Sequence, residues 1–75
     1  MFAYILINLV DKHEQNILEE LQNEPEVLDS HILFGEWDLI VKIKVEHIEE
    51  VSAFVMKKLR GHQDVNLTST LIVAK

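Results

Sequence analysis

Cysteine is absent from the 75 residues, and only two glycines and one proline are present. Without cysteine no disulfide can brace the fold and no thiolate can hold a metal. The two glycines, Gly35 and Gly61, stand too far apart to form a phosphate-cradling loop. Positive charge is scarce as well: lysine and arginine number 7 against 13 acidic residues, for a formal net charge of −6. A domain of that sign repels a phosphate backbone, so direct nucleic-acid binding is not expected. Long apolar runs are also missing. The greasiest stretch, residues 2–10, falls well short of the ~20 residues that span a bilayer. It also lacks the basic start of a signal peptide. The expectation is a cytoplasmic chain without membrane association.

These absences matter because the chain is short. A domain of this size buries only about 60% of the surface its unfolded chain exposes. Small domains usually add a disulfide, a metal or a partner subunit. Disulfides are excluded. Four histidines are present, His13, His31, His47 and His62, but none forms a pair at a familiar metal-ligand spacing. No metal and no other cofactor is expected, which leaves association with other subunits.

Hydrophobic periodicity predicts one α+β domain covering residues 1–75. Residues 2–10 read as a strand with two apolar faces: Phe2, Tyr4, Leu6 and Val10 on one, Ala3, Ile5, Ile7 and Leu9 on the other. Asp11 and Glu14 have capping-box spacing, and Ile17, Leu18 and Leu21 follow at helical intervals. Pro25 lies just beyond, which predicts a short helix over residues 12–23. Residues 27–34 read as an edge strand, because Asp29 and His31 share a face with Val27 and Leu33. Gly35-Glu36-Trp37-Asp38 makes a tight connection. Leu39, Val41, Ile43 and Val45 then alternate with Ile40, Lys42 and Lys44, predicting a third strand.

Ile48, Val51, Val55 and Leu59 keep helical spacing over residues 47–60. Glu49 and Glu50 lie at the start and Lys57, Lys58 and Arg60 at the end, complementing the helix dipole. Gly61 supplies a stop, and residues 65–74 form the fourth strand. The order β-α-β-β-α-β is the ferredoxin-like pattern. It predicts a four-stranded antiparallel sheet in the order 4-1-3-2 with both helices on one face. The other face is open, and the two-sided first strand makes it partly apolar. Such a face is normally covered by a second subunit, so a dimer through the open sheet face is expected.

Little here suggests catalysis. Ser30, Ser52 and Ser69 have no nucleophile-elbow context. Most carboxylates fall on solvent faces of helices, and Lys42 and Lys44 read as exposed. Two polar segments remain. Strands 3 and 4 run parallel with strand 1 between them, so Asp38 and Thr68/Thr70 meet at one edge of the sheet, about 10 Å apart. Asp38 can accept hydrogen bonds from an ammonium, and the threonines can donate to a carboxylate. That pairing suits an α-amino acid. The plainer alternative is that Asp38 caps a turn and the threonines are ordinary strand formers. A turn carboxylate contributes little to the core, so loss of Asp38 is expected to preserve the fold.

The stretch Gly35-Glu36-Trp37-Asp38-Leu39-Ile40-Val41-Lys42 resembles the Gly-x-aromatic-Asp signature of the Lrp/AsnC regulators, in their effector-binding RAM domain. Pro25-Glu26-Val27 is similar to that family's approach to its second strand, and Thr68-Ser69-Thr70-Leu71-Ile72-Val73 to its closing strand. The resemblance covers essentially the whole chain. With strand 1 beginning at once, it is to the stand-alone form lacking the DNA-binding domain. It implies dimers through the sheets, rings of dimers, and amino-acid effectors bound between dimers. By motif match it assigns Gly35, Trp37, Asp38, Thr68, Ser69 and Thr70 to the ligand site. The reading is a non-enzymatic amino-acid-binding and oligomerisation module that can modulate a full-length regulator. The alternative is a small dimeric α/β-barrel enzyme, monooxygenase-like or isomerase-like. A cleft between sheet and helices with an inward histidine would favour it, and His31 is the only candidate. A third reading is a structural assembly domain without a ligand.

Overall fold

In the computed structural model, which describes residues 1–11 and 13–75, each expected element is present and in order. Strand β1 is Phe2–Leu9, helix α1 Glu14–Gln22, β2 Val27–Ile32 and β3 Leu39–Lys44. Helix α2, Ile48–Phe54, continues as a π-helical segment, Val55–Arg60, before β4, Val65–Ile72. The sheet order is β2-β3-β1-β4 with every pairing antiparallel. This is the ferredoxin-like arrangement expected.

The alternation in β1 is real and places the core. Ala3, Ile5, Ile7 and Leu9 are buried, opposite Leu39, Val41 and Ile43 of β3. Ile17, Leu18 and Leu21 of α1 close over them, with Val51 and Phe54 of α2 and Val55 and Leu59 of the π segment. The other β1 face carries Phe2, Tyr4 and Leu6. Directly opposed residues point to one face, so Ile40 and Lys42 join it from β3, and Ser69 and Leu71 from β4. Among the described residues no helix covers this face. Lys42 is half-buried rather than exposed, because its ammonium lies 4.8 Å from the Phe2 ring centroid and 5.6 Å from that of Tyr4. Its charge meets the negative faces of two rings while its stem covers apolar surface.

Four local expectations are corrected. The N-cap of α1 is His13, not Asp11, and it makes no side-chain capping bond; the expected start at Lys12 lies outside the described residues. The second helix is not α-helical to its end. Val51, Val55 and Leu59 repeat every four residues, a spacing that drifts against 3.6 residues per turn. The wider π turn takes that drift back and keeps Leu59 fully buried. In β2 a bulge lies between Val27 and Asp29. The extra residue puts Val27 on the helix side, opposite Ile43, while Asp29 and His31 face the open side. Finally, β2 and β4 are two residues shorter than expected.

The start of α2 holds an unforeseen cap. The Glu50 carboxylate accepts a hydrogen bond from the Glu46 N–H at 2.8 Å, reaching back across the first turn. Among the described residues no helix is long and apolar enough to cross a membrane.

Candidate functional site

Asp38 and Thr68 lie level where β1 ends and β3 and β4 begin, and Thr70 lies farther along opposite Ile5. The described lining of the hollows beside the two threonines does not include Gly35, Trp37 or Asp38. Ile7 pairs with both Leu39 and Thr68, which sets the two segments level on either side of β1. The connection from β2 to β3 is pinned there by its backbone. The Asp38 N–H donates to the Ile7 carbonyl at 2.9 Å, and the Asp38 carbonyl accepts from the Leu33 N–H at 2.8 Å. Gly35 turns the loop at φ 133°, a conformation side chains with a Cβ rarely adopt. Among the described residues no atom stands within 4 Å of where its Cβ would be, so the backbone angle, not crowding, calls for glycine. Trp37 is half-buried beside it.

Asp38 is not a solvent-facing turn carboxylate. It is 4% exposed, and its Oδ2 accepts a hydrogen bond from the buried Leu9 N–H at 2.7 Å. That N–H faces the β3 side of β1, just past the last β1–β3 pair, Ile7 and Leu39. The carboxylate thus serves backbone at a point where the sheet's own pairing has stopped. The premise that Asp38 is a turn carboxylate contributing little to the core is corrected, and with it the reason for expecting its loss to preserve the fold.

A second link runs across the same end. The Asn66 amide donates to Asn8 Oδ1 at 2.9 Å, and the Asn8 amide donates to the Glu36 carbonyl at 3.2 Å. The loop, β1 and β4 are therefore tied together by side chains as well as by strand pairing.

The three residues of β4 divide between faces. Thr68 and Thr70 oppose Ile7 and Ile5, so they face the helix layer, whereas Ser69 opposes Leu6 on the open face. Along the outer edge of β4, Thr70 and Ile72 look onto Val51, Val55 and Met56 across a hollow of about 370 Å³. Arg60 borders this hollow and also an adjoining one of about 390 Å³, lined by Asn66 and Thr68. Sequence reasoning assigned Arg60 only to dipole complementarity and missed this place. The available signal was that Arg60 is the chain's sole arginine.

Other chemistry lies elsewhere. His31 is 63% exposed on the open face and pairs with Asp29 at 3.2 Å. It does not point into a cleft between sheet and helices, which was the condition set for the enzyme alternative. His62 Nε2 lies 2.9 Å from Glu20. Asp11, His13 and Asp64 bring their ligand-type atoms within 4.8 Å of one another. That grouping joins residues from two distant segments, held by the Val10 N–H to Asp64 carbonyl bond of 2.8 Å, and spacing along the chain cannot reveal it.

Residues 2–75 match the family model of the Lrp/AsnC ligand binding domain. Among curated proteins, an uncharacterized HTH-type transcriptional regulator of Pyrococcus abyssi is 36% identical over 59 residues, 79% of this chain and 39% of that protein. The chain spans less than half the length of the curated regulators it matches. Among solved structures, that of FFRP-DM1 superposes with a TM-score of 0.90 at 32% identity, with 96% of each chain covered. The L-Met complex of the transcriptional regulator NMB0573 from Neisseria meningitidis superposes with a TM-score of 0.85 at 25% identity, covering 99% of this chain and 49% of that one.

Proposed function

The chain belongs to the Lrp/AsnC ligand-binding domain family, and from that premise we propose that it is an amino-acid-binding and oligomerisation module that modulates a full-length regulator of the same family. The observation that carries this reading is the split character of β4. One face of the strand offers Thr68 and Thr70 to hollows under α2 and the π segment. The other offers Ser69 and Leu71 to an apolar sheet face that no helix covers. Ligand and second subunit thus have separate faces of one strand.

In this reading Gly35, Trp37 and Asp38 shape and anchor the loop at the end of the sheet. Thr68 and Thr70 supply hydroxyls to the ligand, and Ser69 lies on the assembly side. Phe2, Tyr4, Leu6, Ile40 and Leu71 are buried when two copies pack sheet to sheet, giving a dimer and then a ring of dimers. The L-Met complex of the Neisseria regulator supports an amino acid as the effector class.

Two measurements test the reading. A thermal-shift panel of the common amino acids should find at least one stabiliser. At about a hundred times its dissociation constant, a ligand that binds only the folded state adds about 2.7 kcal/mol. For a domain of this size that is a shift on the order of 10 °C. No shift with any amino acid rejects the ligand part. Light scattering at micromolar concentration should give at least a dimer, and a stable folded monomer rejects the assembly part.

A further inference from the structure

Arg60 stands at the junction of the two hollows along β4, and its surroundings are selective. The chain carries 13 acidic residues, yet among the described residues none lines either hollow. Nor does any described carboxylate lie within ion-pair distance of the guanidinium, whereas Lys58 is paired with Glu24 at 3.2 Å. The recorded contact of Arg60 is to Met56 Sδ at 4.0 Å. A thioether sulfur is a weak acceptor, so most of the guanidinium's five donors remain for something else. In a chain of net charge −6, a cation kept apart from acids is a complement for an anion from outside.

The two sides of Arg60 differ. Toward α2 the hollow is walled by Val51, Val55, Met56 and Ile72. Toward the start of β4 the neighbours are polar, Thr68 and Asn66. The Asn66 amide nitrogen already donates to Asn8, which leaves its oxygen as an acceptor. A volume of about 370 Å³ lies near the lower end of small-molecule sites. It fits a single amino acid better than a nucleotide or a long peptide.

We propose that Arg60 anchors the carboxylate of the bound amino acid. The guanidinium fork takes the carboxylate bidentately. The side chain lies against Val51, Val55, Met56 and Ile72, and the ammonium faces the oxygens of Thr68 and Asn66. An acidic side chain finds no second cation in the hollow, and glycine leaves the apolar wall wet. The proposal rests on the amino-acid-binding reading and adds to it the group that recognises the ligand's carboxylate. The π segment gives Arg60 this position. It ends at Arg60, and π turns are frequent where a helix builds a functional site.

The test is calorimetric titration of the 75-residue chain and two variants, Arg60→Gln and Arg60→Lys, with leucine, methionine, glycine, aspartate and leucinamide. Arg60 is exposed, so both variants should melt with the wild type. Leucine or methionine should bind the wild type more tightly than glycine or aspartate. Arg60→Gln should weaken that binding about tenfold to a hundredfold, the loss expected for hydrogen bonds to a charged group. Arg60→Lys should recover part of it, as a charge without the fork. Leucinamide, which lacks the carboxylate, should bind the wild type as weakly as leucine binds Arg60→Gln. Leucine affinity within twofold of wild type in Arg60→Gln overturns the anchor while leaving amino-acid binding intact. Preference for aspartate or glycine overturns the placement of the ligand's side chain against the apolar wall. If no amino acid binds the wild type, this inference and the proposed function fall together.

Discussion

Replacing Asp38 by alanine should destabilise the protein, even though the residue lies at the end of a loop. The wild-type side chain is 4% exposed and accepts the Leu9 N–H at 2.7 Å. Leu9 is itself buried and lies past the last β1–β3 pair, Ile7 and Leu39, so no β3 carbonyl is in register to replace the lost acceptor. Hydrogen bonds to a carboxylate contribute about 1.5–3 kcal/mol, and a stranded buried donor costs about the same range. A loss of about 2 kcal/mol lowers the melting temperature of a domain this small by roughly 8–16 °C. Asp38→Asn keeps an oxygen in the same place and should lose clearly less. The assay is a circular-dichroism melt at fixed protein concentration, because oligomer dissociation makes melting concentration-dependent. Hydrogen exchange at the Leu9 amide supplies a local readout: it should be protected in the wild type and exchange faster in Asp38→Ala. A melting temperature within about 2 °C of the wild type, with Leu9 still protected, would refute the assignment.

Further outcomes follow from the open face, the core, the α2 cap and the charge. Leu6→Asp sets a carboxylate opposite Ile40 and Ser69, where it stays hydrated in a monomer but must be desolvated in a sheet-to-sheet dimer. Light scattering should show the assembly reduced to monomer, and an unchanged mass would count against that interface. Ile5→Ala removes a fully buried side chain from the central strand and should cost about 2–5 kcal/mol, read as a large drop in denaturation midpoint. Glu50→Ala removes the acceptor for the Glu46 N–H and should cost about 1 kcal/mol, read by the same titration. With a net charge of −6, the isolated 75-residue chain should give no salt-sensitive gel shift with duplex DNA.

Much of the fold is legible because alternation is an unambiguous signal in β1 and β3. A one-residue slip would turn either strand inside out, so Ile5, Ile7, Val41 and Ile43 could be assigned to the core and Tyr4 and Lys42 to the other face. The illegible features are those in which one residue is added or a turn widened. The bulge at Val27/Asp29 changes which residues share a face without changing composition. The π segment hides behind a four-residue repeat that fits an α-helix over two turns. The Asp11–Glu14 spacing fits a capping box as well as a true one does, yet the helix starts at Glu14 with His13 as its N-cap. A capping pattern states only that the donors could be met, not that the backbone turns there.

The candidate site was legible as a location and less so as a mechanism, for a reason particular to Asp38. An aspartate after Gly35-Glu36-Trp37 and before an apolar strand is marked out by its neighbours, and topology alone brings it level with Thr68. It accepts, however, from the Leu9 N–H, a backbone group 29 residues away that faces β3 just past the last β1–β3 pair. No pattern along the chain reports a backbone donor left over where the pairing of two strands stops. The same limit hid Arg60. On a helix face, the dipole accounts for a terminal cation well enough that nothing further is asked of it. Only with α2, the π segment and the outer edge of β4 in place does that cation border two hollows that no carboxylate of the described residues lines. Sequence patterns reveal what a segment can satisfy within itself. The chemistry of this site lies in what the segments leave for one another.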